Sequence, residues 1–272
     1  MLRSLPTIGG HVNRATILGV AIDPLDLDGV LAYVAGWLDS GAGLHHIVTV
    51  NPEFVIEARR NPEFAAALED ADLATADGIG IVLAGRLLGE PIGPRVTGVA
   101  LTEGIAALRH PAARIFLLGA GLGIAAETAD RLAERFPGVS IVGTYSGTPN
   151  DDGFAEIERR LAEAQPTILL VAFGHPRQDL WIARHRERLA ERGILVAAGV
   201  GGTFDYLSGR IPRAPSWVRR AGLEWLYRLA RQPWRWRRQL ALPLFVALVC
   251  RERARRATGK TDNGRRAGQR TR

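Results

Sequence analysis

Cysteine is nearly missing from this 272-residue chain: Cys250 stands alone. That excludes an intrachain disulfide and a cysteine-built zinc cluster, and it fits a reducing compartment. The amino terminus, MLRSLPTIGGHVNRATILGV, lacks a long apolar stretch ahead of a cleavage site, so no secretory signal is read there. Also missing are the Walker sequence, G-x-S-x-G and H-E-x-x-H, which removes three familiar chemistries. No D-x-D pair stands at a strand end to hold a metal on a nucleotide diphosphate, because Asp70-Ala-Asp72 precedes a strand. His45, His46 and His175 are read as solvated or packed rather than ligating, so neither a metal nor a cofactor is expected.

What is present is a core and a lopsided charge. Hydrophobic residues make up 47% of the chain, and the formal net charge is +7. From Arg210 onward 18 basic side chains face only Glu224, Glu252 and Asp262, while residues 1–209 carry 17 basic and 25 acidic side chains. An acidic body with a basic end points to an anionic partner, a membrane surface or a nucleic acid.

Apolar runs at 15–22, 46–50, 71–76, 114–120, 139–145, 167–174 and 194–201 alternate with helical patterns such as GIAAETADRLAERF (123–136). Strands apolar on both faces and separated by helices predict an α/β fold, a Rossmann-like and mostly parallel sheet flanked by helices. Ligands bind such sheets beyond the carboxyl ends of the strands. The expected organisation is a flexible 1–14, an α/β domain over 15–211, a basic helical appendage over 212–250 and a disordered basic tail over 251–272. Four of the six tryptophans (Trp217, Trp225, Trp234, Trp236) lie in the appendage. Its run LALPLFVALVC, 11 residues long, is too short to span a bilayer and suited to its interface.

Several motifs fall at strand ends. In LATADGIG (73–80), Asp77 sits where a strand hands over to a helix, as a cap or as a proton acceptor. Asn51 opens NPEF, an ordinary helix start, and the same four letters recur at 61–64. GAGLG supplies Gly119 and Gly121 of a dinucleotide fingerprint, but Ile124 replaces its third glycine. GHPRQDLW (174–181) sets Arg177, Gln178 and Asp179 at the mouth of the sheet, with Trp181 packed beneath. In GVGGTFDYLSGR (199–210), the backbone around Gly201 and Gly202 is placed to receive a phosphate.

Read in order, TVNPEF, ADLATADGIGIVLAGRLLG, PRVTGVAL, IFLLGAGLG, VAFGHPRQDLWI, GVGGTFDYLSGRIPRAPSWVRRAGLEWLYRL and QPWRWRR resemble the WecG/TagA/CpsF family of bacterial glycosyltransferases over about residues 15 to 245. The resemblance implies inverting transfer of an N-acetylmannosamine-type or related hexose from a UDP-sugar to a polyprenyl-diphosphate-linked acceptor sugar, in cell-surface polysaccharide or teichoic acid synthesis. It implies Asp77 as general base, Thr49 and Asn51 lining the sugar pocket, and Arg95 and Gln178 as active-site residues. Ala76 and Asp179 depart from the family's usual Pro and Glu. Gly119, Gly121, Gly201, Gly202, Asp205, Arg210, Arg213, Arg228 and Arg231 are candidate substrate contacts, the arginines for the diphosphate. A lipid-bound acceptor implies an enzyme peripheral on the cytoplasmic face of the cell membrane, docked through 212–250. No nucleic acid is then expected, and the oligomeric state stays open. Two rival readings are a nicotinamide-dependent oxidoreductase, from GAGLG, and a nucleic-acid-binding protein using the Arg/Trp end.

Overall fold

A computed structural model describes residues 14–150, 153–215, 217–218, 222–233, 236 and 240–268. The flexible stretch expected at 1–14 lies outside them except for Arg14, which pairs with Asp23 at 3.1 Å. The single strand expected over 15–22 is instead a hairpin of β1 (Ala15–Ile17) and β2 (Val20–Ile22). Leu18 (φ 52°) and Gly19 (φ 95°) both take the left-handed conformation that a two-residue hairpin turn demands. Asp23 then ties the hairpin to the sheet, its carboxylate accepting from the Ala74 N–H at 2.7 Å.

The other apolar runs are strands as expected. β3 (His45–Val50), β4 (Leu73–Ala76), β5 (Ile115–Gly119), β6 (Ile141–Tyr145), β7 (Ile168–Ala172) and β8 (Val196–Gly199) build one sheet in the order β4-β3-β8-β7-β5-β6. Every pairing is parallel. Parallel neighbours need crossover helices, which cover both faces. On one face α1 (Leu27–Ser40), α5 (Gly98–Ala107), α6 (Ile124–Arg135) and the short α10 (Thr203–Leu207) pack Val34, Leu101, Leu132 and Phe204 against Ile47, Leu117 and Leu170. On the other lie α2 (Pro52–Ala58), α3 (Pro62–Glu69), α4 (Ile79–Leu88), α7 (Phe154–Ala164) and α8 (Arg177–Arg184). They bring Phe54, Phe64, Ile81, Ile157 and Trp181 to Val48, Val50 and Leu118. A short α9 (Arg186–Glu191) leads into β8.

The basic end contains a helix over Glu224–Arg231 and a longer one over Ala241–Gly268. The longer helix lies along α2 and α4, and its Phe245 and Val249 join their core cluster. Glycines keep the start of α4 close-packed: a β-carbon on Gly80 would come within 2.8 Å of the Pro52 ring and touch Phe245 at 4.0 Å, and one on Gly222 (φ 74°), ahead of the Glu224–Arg231 helix, would meet the Ile79 side chain at 2.6 Å. The disorder expected from residue 251 is replaced by helix as far as Gly268. The sequence RERARRAT lacks apolar periodicity, but alanine and arginine favour helix, and the segment is anchored. Arg256 donates to Leu88 O at 3.0 Å and to Glu90 at 2.8 Å, and Arg253 donates to Leu87 O. Among the described residues no helix is long and apolar enough to cross a membrane.

Phe245 is the apolar anchor of this helix, so Phe245→Ala should lower global stability by about 3 kcal/mol, the usual cost of emptying a buried aromatic site. Hydrogen exchange should show lost protection over 241–256 and along α4. Unchanged exchange there would mean that the helix is not anchored by this contact.

Candidate active site

The site forms where β3, β4 and β8 end. The Asp77 N–H donates to Val50 O at 2.7 Å, and the Val96 N–H donates to Ala76 O at 2.9 Å. Asp77 therefore sits just past the carboxyl edge of the sheet, between the exit of β3 at Asn51 and the Arg95–Thr97 approach to α5. It does not cap the helix that follows it. Gly78 (φ 108°) occupies the N-cap of α4, without a side-chain capping bond. The Asp77 carboxylate instead accepts from the Gly98 N–H in the first turn of α5.

Asp77 is half-buried, and desolvation pushes its carboxyl up to about 7. Arg95 opposes that rise, Glu224 adds to it, and the Gly98 N–H and the Arg228 guanidinium pull it back down. A carboxyl held near 7 gives up and recovers a proton around neutrality, which suits a general base.

Asn51 does cap. Its Oδ1 accepts from the Glu53 and Phe54 N–H groups at 2.9 and 3.2 Å, and Asn61 makes the same kind of bond to Phe64 at 3.1 Å in the second NPEF. Only position separates the two asparagines, since the Asn51 Cβ lies 4.0 Å from where a Gly78 β-carbon would stand.

Thr49 and Gln178 are buried supports of the glycine loop. Thr49 donates to Gly199 O at 3.2 Å, and the Gln178 Oε1 accepts from the Gly201 N–H at 2.9 Å. Gln178 was expected at an exposed mouth; it is 1% exposed and Asp179 is 0% exposed. The first turn of α8 points both inward because Gly199 leaves room. A β-carbon there would strike the Asp179 Oδ1, and it would lie 2.5 Å from the Gln178 Nε2. Asp179 faces the equally buried His46, with Oδ1 3.5 Å from Nε2. Arg177 stays exposed and donates to Phe173 O at 2.9 Å. Trp181 packs beneath, as expected. Since Gln178 occupies the Gly201 N–H, the loop offers a phosphate less than its sequence implies.

Arg228 supplies what the loop does not. Its guanidinium lies against Gly202, where any β-carbon would collide with it. It sits over the Tyr206 ring at 4.9 Å, is 3.9 Å from the Asp205 carboxylate, and donates through Nε to Gln232 at 3.3 Å. Its buried Nη2 makes no hydrogen bond. A half-buried guanidinium with a spare N–H suits an anionic oxygen.

The remaining candidates are placed differently. Arg213 is 3.5 Å from Glu224, one partner removed from Asp77. Arg231 is exposed and stacks over Tyr227 at 5.4 Å. Arg210 is held by Glu127 on α6 through two bonds of 2.7 and 2.5 Å. Gly119 ends β5 and Gly121 follows it, four strand positions from β4, or about 19 Å across the sheet. Gly119 (φ 101°) is required by packing, because a β-carbon would come within 2.9 Å of the Ala172 backbone. A hollow of about 480 Å³, lined by Glu103, Arg131, Tyr206 and Arg213 among others, does not include Asp77. Sequence reasoning missed Glu224 as a second carboxylate at the site. Its signal was its isolation, as the one acidic residue between Arg210 and Cys250.

The profile of the glycosyl transferase WecG/TagA/CpsF family matches residues 15–259. The chain is 39% identical over 220 residues, 80% of its own length and 83% of the relative's, to an N-acetylglucosaminyldiphosphoundecaprenol N-acetyl-beta-D-mannosaminyltransferase of Bacillus spizizenii strain W23. It is 32% identical over 213 residues to the protein of the same name in Bacillus subtilis strain 168, covering 78% and 81% of the two chains. For the Staphylococcus aureus strain MRSA252 protein the identity is 29% over 208 residues, with 75% and 79% covered.

Asp77 has a consequence for stability. Its carboxyl titrates near 7 when folded, against an ordinary 3.8. The folded state therefore binds more protons between about pH 4 and 7, and stability falls as pH rises through that window. Asp77→Asn should raise the thermal midpoint at pH 8 and leave it nearly unchanged below about pH 4. A midpoint lower than wild type at pH 8 would contradict the desolvated carboxylate.

Proposed function

The chain belongs to the WecG/TagA/CpsF family of glycosyltransferases, and on that premise we propose that it transfers a sugar of the N-acetylmannosamine type from a UDP-sugar to a saccharide carried on a polyprenyl diphosphate. The relatives' names supply the acceptor class and the transferred sugar. The observation that carries the mechanism is the Asp77 carboxyl, raised to about 7 at the strand ends beside Arg95 and the first turn of α5.

In this reading the acceptor hydroxyl oxygen attacks the anomeric carbon from the side opposite the UDP. A bond forms from that oxygen to the carbon while the bond to the diphosphate oxygen breaks. The hydroxyl proton passes to Asp77, and UDP leaves with the electron pair, so the anomeric configuration inverts. Arg228 meets the charge growing on the diphosphate, and no metal is invoked. Thr49 and Gln178 act at one remove by fixing the Gly199–Gly202 loop against which Arg228 lies. Glu224 keeps Asp77 basic, and Arg213 holds Glu224.

A polyprenyl acceptor stays in its bilayer, so the catalyst must come to it. Trp217 (65% exposed), Trp225, Leu226, Trp236, Leu240, Leu244 and Val246 (58% exposed) are open to solvent on the basic end, as are Leu83 and Leu87 on α4. Tryptophan and arginine together favour the headgroup zone of an anionic leaflet. This supports a peripheral enzyme on the cytoplasmic face.

Two measurements test the reading. Asp77→Asn should keep UDP-sugar binding and lose 10²- to 10⁴-fold in turnover, roughly the worth of a general base, and wild-type turnover should rise with pH toward a plateau above about 7. Near-normal turnover in the variant refutes the base. Separately, Trp217, Trp225 and Leu226 changed together to serine should abolish co-sedimentation with phosphatidylglycerol-containing vesicles. Unaltered co-sedimentation removes the docking surface.

A further inference from the structure

We propose that a groove of about 520 Å³ midway along the Ala241–Gly268 helix binds the phosphate-bearing headgroup of an anionic phospholipid. The inference rests on the peripheral-membrane reading above and deepens it by naming a discrete lipid site away from Asp77. Leu18 and Gly19 of the hairpin turn, Arg59 at the end of α2, and Leu248, Arg251 and Arg255 of the long helix line the groove.

Charge is the first argument. Arg251 and Arg255 stand one turn apart on the same helix, a like-charge spacing that costs stability, and Arg59 lines the groove with them. Arg256, also in the wall, is balanced by Glu90 at 2.8 Å and Glu252 at 3.1 Å. Glu252 is the one carboxylate in the lining, and Arg256 holds it. Arg59 reaches only the Leu18 carbonyl, at 3.4 Å. Arg251 and Arg255 have no ion-pair partner among the described residues. Three exposed guanidinium groups surround one hollow, none neutralised by a described carboxylate, and together they favour an anion from outside.

The second argument is the mixed lining. Leu18 and Leu248 give the groove an apolar side beneath its arginines, a match for phosphate joined to a glycerol and acyl stem rather than for a bare ion. The third is location. Val246, Ala247, Cys250 and Ala254 form an outward stripe of exposed small and apolar residues on the same helix, with Arg251 and Arg255 at its border. A helix lying in the interface has that arrangement: apolar face down, arginines at headgroup depth. The helix begins beside Gly80, next to the Asp77 end of the body, and reaches Leu87 and Leu88 at the groove end. A headgroup in the groove fixes the roll of the body about this helix and so the direction in which the Asp77 site opens.

The test uses the full chain and a soluble lipid, dihexanoyl phosphatidylglycerol below its micellar concentration, titrated by tryptophan fluorescence or calorimetry. Wild type should bind it saturably, one per chain. R251Q/R255Q and R59Q should each weaken binding at least tenfold, with transfer to a short-chain acceptor unchanged and the R251Q/R255Q thermal midpoint no lower than wild type, while R159Q/R188Q on a distant face should bind as wild type. Equal affinity in R251Q/R255Q overturns the groove. Inorganic phosphate binding as tightly, through the same arginines, overturns the lipid assignment. Vesicle co-sedimentation is scored separately: a wild type that binds the soluble lipid but no vesicles retains the groove and loses the peripheral reading.

Discussion

The desolvation of one carboxyl organises this molecule. Taking an aspartate out of water raises its proton affinity, and desolvation is the largest influence on Asp77. The chain opposes burial with Arg95, the Gly98 N–H and Arg228, and reinforces it with Glu224. The outcome near 7 is a balance among groups drawn from the 95–98 segment and from the Glu224–Arg231 helix. The basic end is therefore part of the electrostatics of the site as well as an attachment to it.

That balance needs fixed geometry, and glycines provide much of it. Gly199 admits Gln178 and Asp179 against the end of β8, Gly202 admits Arg228, and Gly98 brings α5 against Val200 and Thr203. Each is a place where backbone approaches a polar group too closely for any side chain. Thr49 and Gln178, which family resemblance places in the site, are hydrogen-bonded to this glycine loop and closed to solvent. Loss of either would shift the loop and, with it, the Arg228 guanidinium. An effect on transfer from either residue is then an effect of position, whereas Asp77 and Arg228 retain groups able to meet a substrate.

The parallel sheet was legible because strands buried on both faces leave long apolar runs that nothing else in a soluble domain requires. Asp77 was legible as a strand-end acid, but the choice between cap and base was not. That choice depends on the Gly98 N–H and Glu224, which lie 21 and 147 positions away in sequence. The hairpin at 15–22 was read as one strand because Leu18-Gly19 lacks the Asn-Gly or Asp-Gly pair that announces such a turn. Gln178 was misplaced because the rotation of α8 is set by the empty volume at Gly199, which no local pattern encodes. The helix beyond 250 was missed for a similar reason. Its anchors, Glu90 and the Leu87 and Leu88 carbonyls, belong to the end of α4, so an arginine-rich segment that looks unstructured alone is ordered by a distant partner.

The same long-range tie joins the basic end to the Asp77 site. Phe245 and Gly222 press the basic end onto the start of α4, and α4 begins directly after Asp77 and Gly78. Phe245 of the Ala241–Gly268 helix stands beside Gly80, and Gly222 stands against Ile79, both in the first turn of α4. The Glu224–Arg231 helix, which faces Asp77 with one acid and one guanidinium, lies between Gly222 and Phe245 in the chain and shares that anchorage. The basic end and the site are joined by chain continuity over fewer than thirty residues, Gly222 to Phe245.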